Sequence, residues 1–121
     1  MAEAEMALDP TSVVSEYFSR MRAGDISVVE LFDEDATLVG LGTTRGGRDA
    51  IREFYRGVIE RAGPTPRAAG PLLVNGPRVA AEILIDLSDG QVVHAMDLFV
   101  VENGRILSLT YFLCVHSGSA A

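Results

Sequence analysis

Apolar residues recur at helical spacing in the first half of the chain and at strand spacing in the second. Val13, Val14, Tyr17, Phe18 and Met21 share one helical face, behind an Asp9-Pro10-Thr11 start in which Asp9 is a capping residue and Pro10 sits in the first turn. Gly24 stops this helix. Asp25 is placed to cap a second, shorter one with Val28, Val29, Leu31 and Phe32 apolar. "ATLVGL" predicts a short strand and "GTTRGGR" a glycine-rich turn. Asp49 is the expected cap of a third helix, whose stripe is Ile51, Phe54, Tyr55, Val58, Ile59 and Ala62, and "GPTP" ends it.

Beyond that point the period becomes strand-like. "GPLLV", "RVAAEILIDL", "QVVHAMDLFVV" and "RILSLTYFLCV" are four extended runs, separated by Asn75-Gly76, Asp89-Gly90 and Asn103-Gly104, all hairpin-type dipeptides. Helices followed by an antiparallel meander predict an α+β domain with the helices on one face of the sheet. In "QVVHAMDLFVV" both parities are apolar. One can bury against the helices, and a second copy of the chain is the simplest cover for the other, so the pattern predicts a homodimer packed through the sheet.

Length and composition narrow the picture. A chain of 121 residues, 48% of them hydrophobic, predicts a single domain over residues 1–121, with an ordered core of about 9–115. The first eight or so residues and the final "SGSAA" are expected to be poorly ordered. A net charge of −7 argues against nucleic acid and anionic membranes as partners. "MAEAEMALDP" lacks the pattern of a signal peptide, no apolar run approaches a membrane span, and Cys114 is the sole cysteine. A cytoplasmic protein without internal disulfides is expected.

One residue breaks the apolar runs. Asp97 stands between Met96 and Leu98. An unpartnered ionised carboxylate is too costly to bury. Either Asp97 is exposed or paired with an Arg, or it is a neutral carboxylic acid in an apolar pocket, able to donate a hydrogen bond. Other candidate chemistry is thin. His94 and His116 have no metal-ligand spacing with each other or with Cys114, and His94 has the parity opposite to Asp97. "GLGTTRGG" has Arg45 where a dinucleotide loop needs its third glycine. No nucleophile elbow is present, and neither metal nor cofactor is expected.

Four segments, in order, resemble the ketosteroid isomerases of the NTF2-like (SnoaL-like) superfamily. "TSVVSEYFSRMRAGD" is similar to their first helix, "LFDEDATL" to their second helix and first strand, "GGRDAIREFY" to their third helix, and "HAMDLFVVENGRILSLTYF" to their last hairpin. The resemblance covers about residues 11 to 114. It implies a cone-shaped fold, with three N-terminal helices over a curved antiparallel sheet enclosing an apolar pocket. It also implies that Tyr17 and Asp97 act as an oxyanion hole for a substrate ketone, with Tyr55 supporting Tyr17. The acid kept neutral by its apolar surroundings is an effect for which that enzyme family is itself the standard example.

The same resemblance exposes a departure. The position of the family's general base, counted from "DAT", is Gly40, and no carboxylate lies between Asp35 and Asp49. The resemblance puts pocket-facing residues on the parity of Glu82, which makes Glu82 the candidate base. Against this, Val79, Ala81, Ile83, Ile85 and Leu87 form a fully apolar opposite face, which would turn Glu82 and Asp86 to water. Gly40, Phe99, Tyr111 and Leu113 are the expected ligand-contacting positions. The implied ligand is a hydrophobic, ketone-bearing, steroid-like small molecule and the implied activity an isomerase. The alternatives are a polyketide cyclase, dehydratase or epoxide hydrolase of the same superfamily, and a binding protein that has lost catalysis.

Overall fold

The computed structural model describes residues 9–114, so the two segments expected to be poorly ordered lie outside the described residues, as does His116. The first helix, α1 (Pro10–Arg22), begins where Asp9 accepts a hydrogen bond from the Thr11 amide at 3.1 Å. It buries Val13, Val14, Tyr17, Phe18 and Met21, the face that its spacing predicts. Asp25 caps the next helix through the Ser27 amide, at 2.9 Å. That element, Ile26–Leu31, is a 3₁₀ helix. Its six residues include three β-branched ones, which suit a short, tight turn better than a longer α-helix. The third helix, α2 (Arg48–Ala62), differs at its start. Gly47, at φ 93°, is the cap residue, while Asp49 lies inside the first turn and pairs with Arg52.

Seven strands follow the order β2-β1-β7-β6-β5-β3, with β4 also pairing β5. They are β1 (Phe32–Gly40), β2 (Thr43–Gly46), β3 (Thr65–Ala68), β4 (Leu73–Asn75), β5 (Arg78–Asp86), β6 (Val92–Glu102) and β7 (Arg105–Leu113). β5, β6 and β7 form the expected antiparallel meander. Asn103 and Gly104, with φ of 54° and 74°, give the β6–β7 turn the left-handed pair that a tight hairpin requires. β1 lies parallel to β7, so the curved sheet is mixed and not purely antiparallel. "GTTRGGR" is largely a strand paired back onto β1, and "GPTP" leads into β3.

The α+β class and the packing of three helices on the sheet agree with expectation. Val14, Val28, Val29, Phe32, Ile51, Val79, Phe99 and Ile106 are fully buried where helices meet sheet. Each such side chain contributes roughly 1.5–3 kcal/mol of burial. Tyr17 stacks edge-on against Phe18 and Phe99, with ring centroids 5.1 and 5.0 Å apart. Among the described residues, no helix is long and apolar enough to cross a membrane.

Candidate active site

The strand register decides which side chains meet the helices. Ala81 on β5 is opposite Asp97 on β6, and Asp97 is opposite Tyr111 on β7. Side chains at directly opposite positions share a face, so these three form a row across the inner side of the sheet. Asp97 is 6% exposed, the one buried polar or charged residue among those described. It lines an apolar cleft of about 350 Å³ together with Tyr17 from α1, Tyr55 from α2 and Tyr111. Met21, Val58, Ile85, Ala95 and Leu109 supply apolar wall.

The polar groups in this cleft fall into two sets. Tyr17 and Tyr55 are joined, hydroxyl to hydroxyl, by a buried 2.7 Å hydrogen bond. One phenol donates to the other, which leaves one hydroxyl hydrogen to serve a ligand. Asp97, by contrast, has no hydrogen-bond partner among the described residues, and its carboxyl opens onto the cleft. Burial alone lifts its pKa to about 7. Burial also raises Tyr17 well above the ordinary phenol range, helped by the neighbouring Tyr55 and Asp97. Tyr55 is raised by burial, with the Tyr17 hydrogen bond pulling partly back. Near neutral pH the site therefore offers two phenols and a carboxyl group that is protonated in a large fraction of molecules.

Gly40 ends β1 on the far side of Tyr111. A Cβ placed on Gly40 would collide with Cζ and both Cε atoms of the Tyr111 ring. The ring thus occupies the space that any larger residue at position 40 would use. Tyr111 also stacks on Phe54, with centroids 6.3 Å apart and planes 24° from parallel, and the Arg45 guanidinium stands 4.3 Å above the Phe54 ring. Burial raises the Tyr111 phenol, with Arg45 acting in the opposite direction.

The structure brings together Tyr17, Tyr55, Asp97, Tyr111 and Leu113 around the cleft. It does not bring Glu82 there. Glu82 lies on the other side of β5, where its Oε2 is 2.7 Å from His94 Nε2. The apolar face of Val79, Ala81 and Ile83 takes the core, which corrects the reading of Glu82 as a cleft base. Asp86 likewise pairs with Arg67, at 2.8 Å. Phe99 is a second correction: it is 0% exposed beneath Tyr17 and Phe18 and touches no cleft space. Gly40 shapes the site through Tyr111 rather than by lining it. Phe54 and Ile85 are wall residues that helical and strand periodicity gave only as core.

A second groove, of about 390 Å³, lies where Glu34 meets Gly47, Arg48 and Asp49. It holds none of the predicted residues, and its charged side chains lie at the surface, so the apolar cleft is the site that its chemistry favours. Among the described residues no three of His, Cys, Asp and Glu come together to hold a metal ion.

Comparison with known proteins places this geometry in a family. Residues 14–109 match the SnoaL-like domain. No curated protein matches. Among solved structures, the chain is similar to an NTF2-like protein of unknown function from Cytophaga hutchinsonii, with a TM-score of 0.75 and 18% identity over 88% of this chain and 91% of that one. It is similar to a candidate polyketide cyclase from Sinorhizobium meliloti, with a TM-score of 0.75 and 22% identity over 83% and 93%. A protein with a ketosteroid isomerase-like fold from Catenulispora acidiphila, solved with trimethylamine, gives a TM-score of 0.72 and 17% identity over 82% of each chain. At these identities the structures speak for the fold. The match over residues 14–109 goes further: the chain belongs to the SnoaL-like domain family.

Proposed function

We propose that the protein binds a hydrophobic, ketone-bearing small molecule of steroid-like character and stabilises its enolate. In this reading Tyr17 and Asp97 donate hydrogen bonds to the ligand oxygen as an oxyanion hole, and Tyr55 holds Tyr17 in place. The observation that carries it is Asp97, a buried carboxyl without a hydrogen-bond partner among the described residues, opening onto an apolar cleft beside the Tyr17–Tyr55 pair. Donors fixed in a dry cleft gain most where negative charge develops on oxygen. Binding of a steroidal phenol tests this directly. Tyr17→Phe and Asp97→Leu should each weaken it by about tenfold or more, since each removes a hydrogen-bond donor to a charged oxygen. Unchanged affinity in both variants rules the reading out.

A second reading has its own support. Gly40 offers no carboxylate and Glu82 faces away from the cleft, so among the described residues no second carboxylate lines the cleft to move a proton between carbons as an isomerase requires. This favours a cyclase, dehydratase or hydrolase of the superfamily, or a pure binding protein, using the same oxygen-binding groups. Turnover of a 5-ene-3-ketosteroid to the conjugated enone separates the two readings: enone formation supports the isomerase, and binding without turnover supports the second.

We also propose that two copies pair through the outer face of the sheet. Met96 and Leu98 stand half-buried there and Phe112 is 55% exposed. Phe112→Glu should then convert a dimer to a monomer in light scattering, and a wild-type monomer would refute the pairing.

A further inference from the structure

A ketone oxygen held by Tyr17 and Asp97 leaves one polar group in the cleft unused. Tyr111 lines the cleft directly opposite Asp97 across the β6–β7 ladder. Its hydroxyl, like the Asp97 carboxyl, has no hydrogen-bond partner among the described residues. Both residues line the same cleft from adjacent strands, so one ligand lying in it can meet both groups. The ring is also fixed. It lies over Gly40, where only a residue without a side chain leaves room, and it stacks on Phe54. A phenol seated so firmly, its hydroxyl without a hydrogen-bond partner among the described residues, is preorganised for a ligand atom.

We infer that Tyr111 is a specificity-determining residue of this cleft: seated over Gly40, it donates a hydrogen bond to a second oxygen of the ligand, a few atoms from the one held by Tyr17 and Asp97. The cleft thereby selects flat, apolar molecules with two neighbouring oxygen acceptors over those with one. The side-chain-free position 40 and the phenol at 111 act as one unit, and any β-carbon at 40 displaces the ring. This inference rests on the oxygen-binding role proposed for Tyr17 and Asp97.

The test compares two probes of similar size and shape, benzoylacetone with two oxygens and butyrophenone with one, by titration calorimetry. The wild-type protein should prefer benzoylacetone by about tenfold, the worth of one hydrogen bond from a fixed donor. Tyr111→Phe keeps the ring over Gly40 and should abolish the preference by lowering benzoylacetone affinity to the level of butyrophenone. Gly40→Ala should abolish it too, by displacing the ring. Tyr17→Phe and Asp97→Leu should weaken both probes together. If those two variants weaken both probes but Tyr111→Phe leaves the ratio intact, the role of Tyr111 is overturned and the oxygen-binding reading stands. If neither Tyr17→Phe nor Asp97→Leu affects either probe, the underlying reading falls and this inference with it. A wild-type protein that binds neither probe overturns the ligand class.

Discussion

Two carboxylates on adjacent strands, Glu82 on β5 and Asp97 on β6, meet opposite fates. Glu82 shares the outer face of the sheet with His94, half-exposed and hydrogen-bonded at 2.7 Å. Asp97 faces the helices, 6% exposed, and its burial raises its pKa to about 7. The register pairs Asp97 with Ala81, the neighbour of Glu82, so a single step along β5 separates the two environments. Side-chain parity, rather than residue type, decides which acid is an ordinary surface group and which is a candidate donor.

The strongest way to break this comparison is to move an acid by that one step. Ala81→Glu places a second carboxylate on the inner face, beside Asp97 and 2% exposed, and should cost more than about 3 kcal/mol in denaturant unfolding. Phe99→Ala tests the floor beneath the site. It empties space under Tyr17 and Phe18 and should cost about 3–5 kcal/mol by the same measurement. A loss under 1 kcal/mol in either variant would contradict the burial described for the inner face.

The next effect in size is a dependence on pH. Asp97 has a folded pKa of about 7 against 3.8 for the free group. Between those values the folded state keeps a proton that the unfolded state has released, so stability falls as pH rises through this window and levels off above about 7. The amplitude is on the order of a few kcal/mol. Asp25 and Asp86 are shifted downward, so their contributions are present above the ordinary carboxylate pKa and are lost only at more acidic pH. Asp97→Asn should therefore flatten the slope between about pH 4 and 7, read from unfolding midpoints.

Smaller effects sharpen the contrast. Tyr17→Phe removes the hydroxyl partner of Tyr55 and should cost about 1–2 kcal/mol, because a buried phenol is left without its hydrogen bond. Glu82→Gln should change stability by less than about 0.5 kcal/mol, since its carboxylate is 44% exposed.

Much of this arrangement was legible in the sequence, and the exceptions have physical causes. The α1 face, the caps at Asp9 and Asp25, and the three hairpin turns follow from local rules that the structure obeys. β2 and β3 carry no such local signal: "TTRG" and "TPRA" are four-residue edge strands, mostly exposed, without an alternating apolar pattern. The parallel pairing of β1 with β7 joins residues some seventy positions apart, which no local signal encodes. Within β5, the continuous apolar run at Val79, Ala81 and Ile83 pointed to the right inner face, and the resemblance pointed to the wrong one for Glu82.

In the candidate site, the grouping of Tyr17, Tyr55 and Asp97 came through resemblance and agrees with the shared cleft they line. The sequence marks Gly40 as a missing carboxylate and Tyr111 as an expected ligand contact, but not that the ring of one fills the space beside the other. That relation depends on β1 lying beside β7, so only the three-dimensional pairing reveals it.

The oxygen-binding role proposed for the cleft depends on the protonation of Asp97. A carboxyl-carbon NMR titration, with Asp97 assigned through the Asp97→Asn variant, measures it in the intact protein. A midpoint near pH 7 is predicted from its burial without a partner. A midpoint near 4, the ordinary carboxylate value, would mean an ionised, solvated or paired side chain, and would contradict Asp97 as a neutral hydrogen-bond donor.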